Sequence, residues 1–261
     1  MRAVRVTGLG LLFILLAWQA LVWIVAPPPY MLPSPLAVAE TLVARRAFLF
    51  EQSLVTLLEI ALGLLFGTLA GVAAGFAVVA WPRAGAFAWP QLLILQSMPV
   101  FALAPLLVLW FGFGLTSKVV MASLVIFFPI ASAFADGLRR TDPDLLDATA
   151  MTDASPMQAL WHVRVPLAMP SLVTGLRVAA PFAPLGAVIG EWVGASGGLG
   201  FVMLQANARM QTDLCFAALA ILAVLTLSLR ALVDEFAPHL APWARESAVH
   251  ILPPSRQRIA S

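Results

Sequence analysis

Charge is scarce in this chain. Asp, Glu, Lys and Arg make up 11% of its 261 residues, against about 25% in an ordinary soluble domain. There is one cysteine, Cys215, which excludes an intrachain disulfide and a cysteine-built metal site. The one lysine, Lys118, follows Thr116-Ser117, so no phosphate loop of the form G-x-x-x-x-G-K-[ST] exists. No H-E-x-x-H occurs, and His162, His239 and His250 lack metal spacing. The net charge is +2, with no basic patch interleaved with aromatics, which argues against a nucleic-acid partner.

Hydrophobic residues fill 61% of the chain. A core of this size cannot hide that much apolar surface from water, so the solvent is lipid. A spanning helix needs roughly 20 apolar residues, and six runs qualify: about 8–26, 53–80, 87–110, 117–135, 170–192 and 214–236. The first is longer than a signal-peptide core and leads into Pro27-Pro28-Pro29-Tyr30 instead of a small-residue cleavage site, so it reads as a retained helix. Residues 27–52 read as a loop with a short amphipathic helix capped by Ser34 and Pro35. The tail after the sixth run is expected to fray. No internal repeat and no soluble domain is visible, and 1–261 reads as a single transmembrane domain. Six helices without inverted halves argue against common secondary-transporter plans and suggest half of a homodimer.

Six spans put both termini on one side. Arg2, Arg5, Arg83, Arg139, Arg140, Arg164, Arg245, Arg256 and Arg258 fall on that face; Arg45, Arg46, Lys118 and Arg209 fall on the other. The positive-inside bias makes the face of the termini cytoplasmic.

Three sets of residues invite a functional reading. Gly63, Gly67, Gly71 and Gly75 recur every fourth position, a close-packing face. It serves intramolecular packing, a dimer seam or a pore lining. Glu59 and Glu191 are carboxylates inside spans near their outer ends, where an ionisable group is costly. They read either as interfacial residues reaching water or as translocation residues. Glu191 leads into Trp192 and a glycine-rich break containing Gly198 and Gly200, a candidate outer gate. The third set is the polar stretch 142–166. Asp142-Pro143 starts a helix to about Met151, and Ser155 with Gln158 fits a capping box that starts a second helix to about Val163. Leu160 and Trp161 are its candidate apolar contacts. The stretch predicts a rigid helix-turn-helix elbow on the cytoplasmic face, built to dock a partner.

Asp147-Ala148-Thr149, Asp153 and Val163-Arg164-Val165-Pro166 resemble, with matching spacing, the E-A-A-x3-G-x9-I-x-L-P loop of binding-protein-dependent ABC importer permeases. Leu32-Pro33-Ser34-Pro35, the Pro99 to Gly112 run, Phe128-Pro129 and Gly198-Leu199-Gly200 resemble the nitrate, sulfonate and taurine branch. Residues 190–213 are similar to permeases for pyrimidine precursors of thiamine. The resemblance implies an all-α type I importer permease of the bacterial inner membrane, acting as a homodimer. Its partners would be two cytoplasmic ATPase subunits, which hold ATP and Mg, and an extracytoplasmic binding protein. The chain itself would bind no cofactor and catalyse nothing. The elbow, with Asp147, Ala148, Thr149, Asp153, Leu160, Trp161, Val163 and Pro166, would be the coupling helix seated in the ATPase. Asp147 and Asp153 depart from the pattern's glutamate and glycine. The pattern's glycine suits a turn where φ can be positive, a region Asp tolerates better than most residues; either the turn here differs slightly or Asp153 caps the second helix. Two other readings stand beside this one: an autonomous secondary transporter using Glu59 or Glu191, and an intramembrane enzyme.

Overall fold

The computed structural model describes residues 2–243, and no strand occurs among them. The tail expected to fray, with Arg245, His250, Arg256 and Arg258, lies outside the described residues. In chain order the helices are α1 (Arg2–Val25), α2 (Pro35–Ala44), α3 (Arg46–Ala80), α4 (Pro82–Ser97), α5 (Val100–Phe111), α6 (Leu115–Arg139), α7 (Pro143–Ala150), α8 (Pro156–Ala159), α9 (Val165–Ala179), α10 (Phe182–Gly194), α11 (Leu199–Ala208) and α12 (Thr212–Leu240). A π-helical turn, Leu160–Arg164, joins α8 to α9.

Three of these are single apolar helices long enough to cross a bilayer: α3, α6 and α12. Two bent pairs, α4 with α5 and the α8–α9 rod with α10, bring the number to five if each pair counts as one span. Within α1, Leu12–Val25 is a shorter apolar helix. The helices fall on the six expected apolar runs, and two of the runs differ in form. The third run is not one helix, because α4 and α5 meet at 100°. Pro99 is the cause: it forces Met98 into extended backbone (φ −70°, ψ 137°) and stops α4 there. The fifth run bends by 43° at Ala180-Pro181. The second run starts earlier than expected, at Arg46, because nothing before Ser53 breaks the helix. The Ser53 hydroxyl donates to the Phe50 carbonyl inside α3 (2.7 Å) instead of capping. The glycine-rich break before the last run holds α11, a ten-residue helix too short to span.

Helix α6 is the mast of the bundle. Ala122, Ile126, Ile130, Ala131, Ala135 and Leu138 along it are fully buried. Neighbouring helices reach it through glycines. Gly63, Gly67, Gly71 and Gly75 of α3 all lie buried against α6, at Ala122, Ile126, Ile130 and Ala131 respectively. The four-residue glycine spacing is thus an intramolecular packing face. Helix α10 meets Ala122 and Lys118 of α6 through Gly186 and Gly190, and α9 meets Ala133 through Gly175. Lipid gives apolar helices little reason to leave it, so association rests on close van der Waals contact, which glycine allows. At the edge of the bundle, α12 is tied to α9 by Arg177 and Asp234 (Nε–Oδ1 3.0 Å).

A Cβ at Gly71 would lie 2.9 Å from the Phe127 carbonyl oxygen and 3.0 Å from Ile130. Gly71→Ala is therefore expected to destabilise the bundle by about 1–3 kcal/mol, read as earlier unfolding in a denaturant titration in detergent. Gly10→Ala, with nothing within 4 Å, should be neutral or slightly stabilising.

Candidate functional site: a capped elbow and a far-end clamp

The polar stretch forms the elbow its caps predict. The Asp142 carboxylate accepts from the Asp144 N–H (3.0 Å), with Pro143 in the first turn of α7. The capping box closes reciprocally: the Ser155 N–H donates to Gln158 Oε1 (2.8 Å), and the Gln158 N–H to Ser155 Oγ (3.3 Å). Asp153 lies between the helices at φ +55°. It takes the left-handed turn position where the family pattern has glycine; Ser155 is the cap. Asp and Asn are the side chains that visit this region most readily after glycine, at roughly 1–2 kcal/mol.

Helix α7 buries no residue. Asp147 and Ala148 are exposed and Thr149 is half-buried, its hydroxyl turned back to the Leu146 carbonyl (2.7 Å). Leu145 and Met151 are exposed apolar side chains, Met151 at 88%. A groove of about 550 Å³ separates α7 from the end of α3, with Val79, Ala80 and Pro82 on one wall and Leu146, Ala150 and Met157 on the other.

Two expectations for the elbow need correction. Leu160 is not an exposed contact: it is 3% exposed and sits in the cluster with Ile130, Phe134 and Leu138 of α6. The second helix also does not end near Val163. Helix α8, the π turn and α9 run on as one rod, with the Val165 N–H bonded to the Leu160 carbonyl. Pro166 lacks an N–H and its ring crowds the carbonyl four residues back. Widening the turn to an i→i−5 bond accommodates it without breaking the helix. Val163 and Pro166 are half-buried in this joint. Trp161 remains 55% exposed, with one ring face against Phe76 of α3 (centroids 4.8 Å).

The two carboxylates lie at the opposite end of α3. Glu59 is twenty-one residues from Ala80, about 30 Å along the helix axis. Neither reaches water: Glu59 is 0% and Glu191 1% exposed. Glu59 Oε1 accepts from the Lys118 ammonium of α6 (2.8 Å). Glu191, on α10, holds the start of α11. Its Oε2 accepts the Gly200 and Phe201 N–H groups, the latter at 3.3 Å, and its Oε1 accepts the Thr56 hydroxyl of α3 (2.6 Å). The Leu199 N–H donates to Thr56 Oγ1 (2.8 Å) and the Gly198 N–H to Gln52 Oε1 (2.7 Å). A helix start leaves its first N–H groups without partners, and here side chains of α3 and α10 supply them. Gly198 has φ +106°, and a Cβ there or at Gly200 would collide with the Glu191 carboxylate. Trp192 is half-exposed beside the clamp.

Lys118, Gln52 and Thr56 escaped the sequence reading as members of this group. Gln52, Thr56, Glu59 and Gly63 follow at steps of four, three and four, one face of a helix. That periodic polar face in an otherwise apolar run was the available signal.

Comparison with known proteins fits this architecture. Residues 54–246 match the family model "Binding-protein-dependent transport system inner membrane component". A probable ABC transporter permease of Haemophilus influenzae is 47% identical over 85% of this chain and 90% of its own. The formylaminopyrimidine transport permease ThiX of Halalkalibacterium halodurans is 33% identical over 84% of this chain and 88% of its own. The riboflavin transport permease RibX of Chloroflexus aurantiacus is 35% identical over 89% of this chain and 88% of its own. The fold is similar to that in an inward-facing structure of the MetNI methionine ABC transporter, with TM-score 0.64 and 22% identity, over 74% of this chain and 96% of that one.

Two predictions follow from the geometry. Removing one member of a buried ion pair strands the other, at about 3–5 kcal/mol. Lys118→Met should lower stability by that order, and adding Glu59→Gln should recover most of it in the same unfolding assay; additive losses would show the pair to be uncoupled. Asp153→Gly relieves the left-handed turn and should make the elbow more resistant to limited proteolysis, by about 1 kcal/mol.

Taken together, a bundle of membrane-spanning helices, an exposed capped elbow and a family match over most of its length show that this chain belongs to the binding-protein-dependent transport system inner membrane components: it is the permease subunit of an ABC importer for a small solute, a multi-pass protein of the inner membrane.

Proposed function

We propose that the elbow is the seat of a cytoplasmic ATPase and that α7 is the coupling helix. The observation that carries this reading is a helix capped at its start, with no residue buried and Leu145, Asp147 and Ala148 exposed, and joined by a short turn to a rod that continues into the core. A flexible loop would absorb a push from a partner. Here α8 is held by its capping box, Leu160 is sunk in the α6 cluster, and Trp161 braces the end of α3. Movement of α7 therefore displaces α9 and α3 together. The ATPase supplies the free energy, and the permease responds because the two conformations differ in their contacts with that partner. ATP and Mg belong to the ATPase; this chain binds no cofactor and carries no catalytic group.

The elbow and both termini face the cytoplasm in this reading, as the arginine bias requires. The clamp end then faces an extracytoplasmic binding protein, with Trp192, Gly198 and Gly200 at the outer gate, and the chain works as a homodimer. Glu59 and Glu191 are gate supports in this reading: Glu191 is engaged by Thr56 and the start of α11, and Glu59 Oε1 by Lys118, with Glu59 Oε2 buried and without a hydrogen-bond partner among the described residues. The substrate is a hydroxymethylpyrimidine-type thiamine precursor. Residues 190–213 support this, as does the similarity to a relative named for formylaminopyrimidine transport. A ligand screen on the cognate binding protein decides it: a pyrimidine is expected, and selective binding of taurine, a sulfonate, nitrate or riboflavin overturns it.

For the elbow, Leu145→Asp with Met151→Asp should abolish co-purification of the ATPase while membrane insertion and thermal stability stay unchanged. Undiminished complex formation would remove α7 from the interface.

A further inference from the structure

We infer that the far end of the bundle carries a seat for the phosphate of a bilayer phospholipid, with Arg45 and Arg209 as its two cationic arms. Four cations fall on the face opposite the termini, against the charge bias of the rest of the chain. Lys118 is accounted for by Glu59. Arg45 and Arg209, 164 positions apart in the chain, converge on one pocket of about 240 Å³, together with Gln205 and Gln211 and the rings of Phe48 and Phe201. Among the described residues, neither guanidinium makes a side-chain hydrogen bond or ion pair.

Each arginine stands just after a helix C-terminus, Arg45 after α2 and Arg209 after α11. The helix dipole gives each a modest reason to be there. It gives no reason for both to line the same cavity beside two side-chain amides. The turn after α11 is built: Met210 sits at φ +56°, its N–H bonds the Asn207 carbonyl (3.1 Å), and the Gln211 N–H returns to the Ala206 carbonyl (2.8 Å). This closure fixes Arg209 and Gln211 on the backbone before α12 begins.

The chemistry is that of an oxyanion on an apolar floor. Two guanidiniums supply charged donors in the fork geometry suited to phosphate, and the amides add neutral donors. The volume equals about eight waters, room for a phosphodiester headgroup. Arg45 immediately precedes α3 and Arg209 lies three residues before α12, so both stand where long apolar helices end, on the side where headgroups are expected. Basic pockets between membrane helices recognise anionic headgroups in this way. Phe48 and Phe201, in the lining itself, offer apolar surface to the acyl chains. A soluble anion would find the guanidiniums but would have no use for that surface. The seat is independent of the transported substrate and of the coupling reading.

The test is native mass spectrometry of the full-length permease, delipidated in detergent and titrated with dioleoylphosphatidylglycerol. Wild type should retain a tightly held lipid. Arg45→Gln with Arg209→Gln should weaken retention by roughly tenfold or more, and Arg45→Lys with Arg209→Lys should keep most of it. Millimolar inorganic phosphate should not displace the lipid. Equal retention in wild type and the glutamine variant overturns the proposal, as does equal loss in the glutamine and lysine variants. Displacement of the lipid by inorganic phosphate overturns the lipid assignment and leaves a soluble-anion site. Both arginines are exposed, so neither variant disturbs the core.

Discussion

The close approach of α3, α9 and α10 to α6 is the contact on which the rest of the molecule hangs. In water, apolar helices would associate to escape solvent. In lipid that drive is absent, and association depends on how nearly two backbones meet. Glycines at 63, 67, 71, 75, 175, 186 and 190 let this happen along much of the length of α6. The outcome is a closely packed core in which α3 lies against α6 from Gly63 to Gly75. The clamp sits at one end of α3, and the groove beside the elbow is walled by the other.

Polar chemistry inside the span then has to be satisfied locally, because the bilayer offers no water. The protein uses one carboxylate for each need. Glu59 neutralises the lysine of α6. Glu191, with Thr56 and Gln52, takes up the N–H groups at the start of α11 and so fastens a short helix that could not cross the membrane itself. Separating α11 from α3 or α10 would leave N–H groups without partners, so these three far-end segments behave as one body. At the elbow end the same economy appears in the π turn, which accepts Pro166 without a break and keeps α8 and α9 continuous. The proposed coupling rests on both properties: an exposed element that a partner could push, and a rod that continues from it into the core.

Much of this was legible from the chain. The capped elbow, the glycine face and the long apolar helices each follow from a local signal: a cap residue, a four-residue period, a run of apolar length. What stayed hidden depended on tertiary contact. Pro90 and Pro105 sit inside helices while Pro99 turns the chain by 100°, and single-chain pattern does not separate these cases. Leu160 reads as exposed beside Trp161, yet one faces the α6 cluster and the other keeps a free edge. Asp153 was open between an altered turn and a cap; its φ of +55° keeps the left-handed turn position, and Ser155 is the cap. Glu59 and Glu191 were visible as costly residues, but their burial and their partners, Lys118 and the start of α11, arise only from tertiary packing.

The central claim is that this bundle moves only when an ATPase grips its elbow. Uptake of labelled substrate into vesicles tests it most directly, with the permease, its ATPase and its binding protein reconstituted in the absence of any ion gradient. The account predicts uptake that requires ATP on the elbow side and stops when the ATPase is omitted. Uptake by the permease alone, driven by an imposed proton or sodium gradient, would contradict it.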